Sequence, residues 1–297
     1  PNVTSNNAKV DPTTAAFVTT EPVNTDVCLN GTLNLSVVAQ AAQSYQWRKN
    51  GVNISGATSS TYSIPNVGYG DAATYDVIAV AYFGCTNDTS VGATVTISTP
   101  LAITTPLATN DVKCEGQNIS YTTGVSGTGP YTYNWRLNGS TVGTNAATYA
   151  KTGVMTADSG RYIVSILGSP ACPYVYDTID LDINRTPVVT VAPNGANPIC
   201  LNTNSTLNVT TIDHSTVEWH KVGAGNTGQT GSTFNITNAT TADAGSYFVI
   251  ARAQPACSDV TSTQFTLVVN TPASVALQPN GATILEDPAG SHTMRVI

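Results

Sequence analysis

Six cysteines set a period that constrains this chain before any local pattern is read. Cys28, Cys114 and Cys200 step by 86 and 86 residues, and Cys85, Cys172 and Cys257 step by 87 and 85. Between the two cysteines of each unit stands one tryptophan, Trp47, Trp135 and Trp219, the only three in the chain. Each unit then carries an Asp-x-Ala/Gly-x-Tyr run, Asp71 to Tyr75, Asp158 to Tyr162 and Asp243 to Tyr247, with the tyrosine ten residues before the second cysteine. Three landmarks of different chemistry on one period define an internal repeat, and such a repeat sets the architecture.

Inside a unit the apolar residues alternate, as in Leu33-x-Leu35-x-Val37, Tyr45-x-Trp47, Tyr62-x-Ile64 and Tyr75-x-Val77-x-Ala79. Alternation with period two marks half-buried strands, and no apolar stripe at helical spacing competes with it. Asn50-Gly51 and Asn138-Gly139 follow the first two tryptophans and suit two-residue hairpins, whose turn positions both demand positive φ. The third unit reads Trp219-His-Lys-Val-Gly223 at this point, which predicts a hairpin that is longer or differently shaped.

About seven short strands per unit, a tryptophan on the third and a tyrosine at the turn into the sixth describe a β-sandwich of the immunoglobulin kind. The expected fold class is therefore all-β, with tandem immunoglobulin-like sandwiches arranged head to tail. From about residue 17 to 270 the chain resembles the tandem Ig-like repeats of large secreted surface adhesins of gliding, Bacteroidota-type bacteria. The resemblance rests on Cys28-Leu-Asn-Gly31 (Cys114-Glu-Gly116 in shorter form), Trp-x-x-Asn-Gly, Asp-x-Gly-x-Tyr, and a cysteine after the sixth strand. It implies export and display at the cell surface. Expected domains are 17–99, 100–184 and 185–270, after an extension of residues 1–16.

Residues 271–297 read as the start of a fourth domain or as donated strands. Thr271-Pro-Ala-Ser-Val-Ala-Leu-Gln-Pro-Asn-Gly-Ala282 echoes Thr186-Pro-Val-Val-Thr-Val-Ala-Pro-Asn-Gly-Ala196, and Gly290-x-x-x-Met294-x-Val296 resembles the opening of a second strand. One or two strands do not make a stable sandwich alone. The chain is then a truncated piece of a longer repeat protein, or Val275, Leu277, Met294 and Val296 lie on strands that a second protomer completes by edge pairing.

The cysteines are not where an immunoglobulin core bridge would put them. Val77, Val164 and Val249 hold the place two residues after the motif tyrosine, and Val37 holds the first-cysteine place in unit one. Cys28 falls at the turn into the second strand, the lower end of the sandwich, and Cys85 after Gly84 beyond the sixth strand, the upper end. Strand rise places such ends roughly 25–35 Å apart, whereas a disulfide tolerates about 4.4–6.8 Å between Cα atoms. Stacked modules would instead bring the lower cysteine of one unit to the upper cysteine of the next. This gives Cys28–Cys172 and Cys114–Cys257, and leaves Cys85 and Cys200 for a neighbouring module or molecule. Pairing within each unit and metal ligation are the alternatives. The disulfide readings place the chain in an oxidising, extracellular compartment.

Catalytic apparatus is not apparent. His214, His220 and His292 stand in no metal-ligand or nucleophile spacing, and no Gly-x-Ser-x-Gly, His-Glu-x-x-His or phosphate loop occurs. No enzyme activity, cofactor or metal is expected. Asp177, Asp180, Asp182 and Asn184 offer oxygen ligands of the kind calcium takes, but solvated strand-edge carboxylates are the plainer reading. With 11 Lys+Arg against 18 Asp+Glu and a net charge of -7, no basic face for nucleic acid is expected. No run approaches the ~20 apolar residues of a membrane helix, so no membrane insertion is expected either. Candidate surface-contact residues are Tyr82 and Phe83, while Tyr174 and Tyr176 read as sheet packing. The expected function is a non-enzymatic extracellular structural protein, a segment or subunit of a cell-surface adhesin or filament. Its expected partners are its own copies or neighbouring modules, or a glycan or cell-surface ligand. The alternative is a carbohydrate-binding accessory module of a larger secreted protein.

Overall fold

The computed structural model describes residues 14–272. Val275, Leu277, Met294, Val296 and His292 lie outside the described residues, as does most of the 1–16 extension. The described residues are strands joined by turns and short 3-10 segments, with no α-helix among them. Two compact units divide at Ile183 and Asn184. The first holds two sandwiches and the second holds one.

In the first sandwich, Ala73–Ala81 lies antiparallel between Ala42–Lys49 and Ala93–Ser98. Thr25–Cys28 then adds in parallel to Ala93–Ser98, with Cys28 opposite Ser98. The opposing sheet is Leu33–Ser36 paired with Thr61–Ile64. The second sandwich repeats this with Asn110–Cys114, Val175–Asn184, Gly160–Leu167, Thr132–Leu137 and Ser140–Val142 in one sheet, facing Ile119–Thr122 and Thr148–Lys151. In the second unit Thr216–Lys221, Gly245–Arg252 and Phe265–Leu267 face Ser205–Ile212 and Thr233–Ile236, and Ile199–Cys200 pairs in parallel with Val269–Asn270.

One aromatic cluster organises each core. Trp47, Tyr62 and Tyr75 stack in sequence at centroid separations of 6.0 and 6.0 Å, Trp135, Tyr149 and Tyr162 at 5.8 and 5.4 Å, and Trp219, Phe234 and Tyr247 at 5.6 and 5.2 Å. Burying an indole requires a partner for its N–H. Each Trp Nε1 donates to a backbone carbonyl at 2.9 Å, that of Ser59, Ala146 or Gly231. The motif aspartates cap the turn before the tyrosine strand, accepting from the backbone N–H of Gly68, Met155 and Thr240. The tyrosine hydroxyl returns to the carbonyl of that aspartate, Tyr75 to Asp71, Tyr162 to Asp158 and Tyr247 to Asp243, at 2.8–3.0 Å. These are tyrosine corners. Burial, with the neighbouring Asp71 charge, raises the Tyr75 hydroxyl to about 12. Val77, Val164 and Val249 are fully buried where a core cystine would otherwise sit.

The hairpins follow their turn residues. Asn50 and Gly51 have φ of 50° and 78°, and Asn138 and Gly139 have 48° and 88°. Lys49 therefore pairs with Val52, and Leu137 with Ser140, across two-residue turns. In the third sandwich Lys221 pairs with Gly225, leaving a three-residue loop of Val222, Gly223 and Ala224.

Candidate functional site

The site that the fold of the first unit builds is a joint. Cys28 ends the strand Thr25–Cys28, whose register beside Ala93–Ser98 holds it at the lower end of the first sandwich. Cys172 sits in the turn after Gly160–Leu167, where its N–H donates to the carbonyl of Ser169 at 3.1 Å. The two are disulfide-bonded, with an S–S length of 2.04 Å and a Cα separation of 4.9 Å across 144 positions of sequence. Closing a loop of that length removes unfolded-chain entropy equivalent to about 5 kcal/mol in the chain-entropy picture, with measured cases commonly about 2–4.

Polar groups surround the bond. Asp26 accepts hydrogen bonds from Thr96 Oγ1 at 2.9 Å and from Ser98 Oγ at 2.9 and 2.7 Å. From the second sandwich the hydroxyl of Ser169 donates to the same carboxylate. Burial pushes the Asp26 carboxyl up, but the Ser169, Ser98 and Thr96 hydroxyls and the Val27 backbone outweigh it and hold it below the usual carboxylate value. Ser98, Ser169 and Cys172 are all buried. Beside them Thr128 N–H donates to the Thr99 carbonyl at 3.0 Å and Thr99 N–H to Thr128 Oγ1 at 2.7 Å. Tyr69 Oη and Thr99 Oγ1 share a further hydrogen bond of 2.8 Å.

The packing here leaves no slack. A Cβ on Gly168 would stand 2.4 Å from the Thr128 carbonyl and 2.9 Å from Leu101 Cδ2, and one on Gly127 would stand 2.6 Å from the Pro100 carbonyl. Leu101, just past the link between the two sandwiches, is buried in the second core. Chemically the arrangement does one thing: it fixes two sandwiches to each other by a covalent bond, a charge-assisted hydrogen bond and a closely packed linker.

Neither Cys114 nor Cys257 is a free thiol. Cys85 is a partly buried free thiol and Cys200 an exposed one. Tyr82 and Phe83 project into solvent at 51% and 102% relative exposure. Tyr174 and Tyr176 do not pack on the sheet as the sequence suggested, being 62% and 63% exposed. They flank Val175, the first residue of a strand whose buried residues, Ile179, Leu181 and Ile183, have the opposite parity. The junction carboxylates have other partners: Asp180 takes two hydrogen bonds of 2.8 Å from Arg161, and Asp177 accepts from the Leu107 and Thr178 N–H groups. Among the described residues no group of three His, Cys, Asp or Glu side chains is placed to hold a metal ion. His220 stacks on Phe248 at 5.2 Å. Asp26, Ser98, Thr128 and Ser169 belong to none of the repeated motifs. Asp26 stands two residues before a repeated cysteine, but Val112 and Pro198 hold that place in the other units, so the repeat conceals it.

Residues 185–271 match the family model described as "Ig-like domain CHU_C associated". The third sandwich is thus Ig-like by sequence as well as by shape. A three-domain I-band fragment of titin is 18% identical, with a TM-score of 0.62, and covers 87% of this chain and 99% of its own length. A Glu-to-Ala variant of such a fragment gives 17% and 0.63 over the same shares. The N-terminal eight Ig domains of Down syndrome cell adhesion molecule are 16% identical at a TM-score of 0.61, with 86% of this chain and 36% of that one covered. These likenesses establish the tandem immunoglobulin fold. No curated protein matches the sequence.

Proposed function

We propose that this chain is an extracellular structural segment or subunit of a cell-surface adhesin or filament, in which Ig-like modules are locked to one another by disulfides between modules. The observation that carries the reading is the Cys28–Cys172 bond, which joins two sandwiches and leaves their cores uncrosslinked. Cystines persist where the surroundings are oxidising, which supports an exported protein at the cell surface. Neighbouring modules or further copies are the main partners. Exposed aromatics such as Tyr82 and Phe83 are the contact points toward other surfaces. No catalytic step is assigned.

Small-angle X-ray scattering of the native chain and of a Cys28→Ser, Cys172→Ser variant tests this. A locked joint gives a sharp interdomain distance that broadens in the variant. Identical profiles from the two proteins would refute the stiffening role.

A further inference from the structure

We propose that Cys200 and Cys85 are the two halves of one more joint, formed head to tail between the third sandwich of one copy of this chain and the first sandwich of another. This deepens the reading of the chain as a disulfide-locked array, and rests on it.

Each free thiol stands on the backbone frame of a bonded one. Cys28 lies opposite Ser98 in a parallel pair, and Cys200 lies opposite Asn270 in the same way. The next residue donates to that partner's carbonyl, Leu29 to Ser98 at 2.8 Å and Leu201 to Asn270 at 2.9 Å. The residue after it adopts positive φ, 66° at Asn30 and 61° at Asn202, and donates to Val67 and Ala239 respectively. Cys200 is thus presented as Cys28 is. At the other end Cys85 N–H donates to the Tyr82 carbonyl at 3.0 Å, as Cys172 N–H does to that of Ser169 at 3.1 Å. Cys85 is thus presented as Cys172 is. The 28–172 bond shows what these two frames do when they meet.

The flanking side chains select the match. In the observed joint, the residue two before the lower cysteine is Asp26 and the residue three before the upper cysteine is Ser169, and they hydrogen-bond to each other. At the free ends the same places hold Pro198 and Tyr82, with Phe83 beside the latter. Pro198 is exposed, as are both rings. An aromatic side chain against a proline buries apolar surface, whereas Asp26 against Phe83 would desolvate a carboxylate beside an apolar ring. The end that carries Tyr82 and Phe83 therefore fits the Pro198 end better than it fits the Asp26 end. One lower-type and one upper-type thiol on the same chain make a heterologous, head-to-tail contact, which adds copy to copy.

Forming the bond removes two protons and two electrons from the thiols, so it needs a disulfide carrier of the glutathione or thiol-oxidoreductase class. The Cys200 thiolate attacks the carrier disulfide and displaces one carrier thiol. The Cys85 thiolate then attacks the Cys200 sulfur of the mixed disulfide and displaces the second.

The test incubates the full chain with oxidised glutathione, followed by non-reducing electrophoresis and peptide mapping. A ladder of dimers and higher species is expected, linked only through Cys85–Cys200. Cys85→Ser and Cys200→Ser alone should each leave monomers, and Tyr82→Ser should slow the ladder several-fold. Cys85–Cys85 and Cys200–Cys200 links in statistical proportion, or glutathionylated monomers alone, would overturn the proposal. The Cys28–Cys172 peptide in the same digest separates the two failures. If it is present beside monomers, only the extra joint is wrong; if it is missing, the array reading itself is wrong.

Discussion

The first and third sandwiches carry their lower cysteines on matching backbone, yet one cysteine is bonded under a carboxylate and the other is exposed beside a proline. Cys28 has Asp26, Ser98 and Ser169 around it, while Cys200 has Pro198 and Asn270. Inside, the two sandwiches differ little: the tryptophan, middle ring and tyrosine corner recur in both. The difference teaches that the core is held constant by packing, which tolerates few shapes, while the ends vary because each meets a different neighbour.

Replacing Trp47, Trp135 or Trp219 by alanine should cost about 3–5 kcal/mol each by calorimetry. Equal losses would sharpen the equivalence of the cores, and a markedly smaller loss in the third sandwich would break it. The double variant Cys28→Ser, Cys172→Ser should lose about 2–4 kcal/mol in the first unit. In monomeric protein the pair Cys85→Ser, Cys200→Ser should leave the thermal midpoint unchanged, since neither thiol closes a loop. Gly168→Ala should cost about 1–3 kcal/mol by denaturant titration, because its Cβ would fall on the Thr128 carbonyl. The transition of the third sandwich should stay where it is.

The smallest effect concerns acid. The folded-state carboxyl of Asp26 is held below its unfolded value of about 3.9. Its contribution is therefore present above that pH and lost as pH falls through the lowered folded value. Asp26→Asn should flatten the acid limb of the first unit's stability curve and leave that of the third sandwich, where Pro198 stands, as it was. An unchanged acid limb would show that Asp26 does not couple the joint to pH.

Much of this was legible in the chain because the landmarks obey local rules. Asn-Gly dictates a two-residue turn wherever it occurs, and the spacing from Asp71 to Tyr75 dictates the corner. The outward face of Tyr174 and Tyr176 was legible in principle, since they share parity with Asp180 and Asp182 and not with Ile179 and Leu181. Alternation says which residues share a face, but the charged pair was needed to say which face is wet. The joint's polar lining was not legible. Asp26 and Ser169 lie 143 positions apart and answer to each other, not to the repeat.

Because Cys28 lies beside Ser98, the cystine leaves the first sandwich almost where the polypeptide does. Two covalent routes therefore run side by side into the second sandwich, and traction on the chain divides between them. A backbone nick engineered between Thr99 and Leu101 should leave a single species on a non-reducing gel and two fragments after reduction. A tether wired this way survives the loss of either strand.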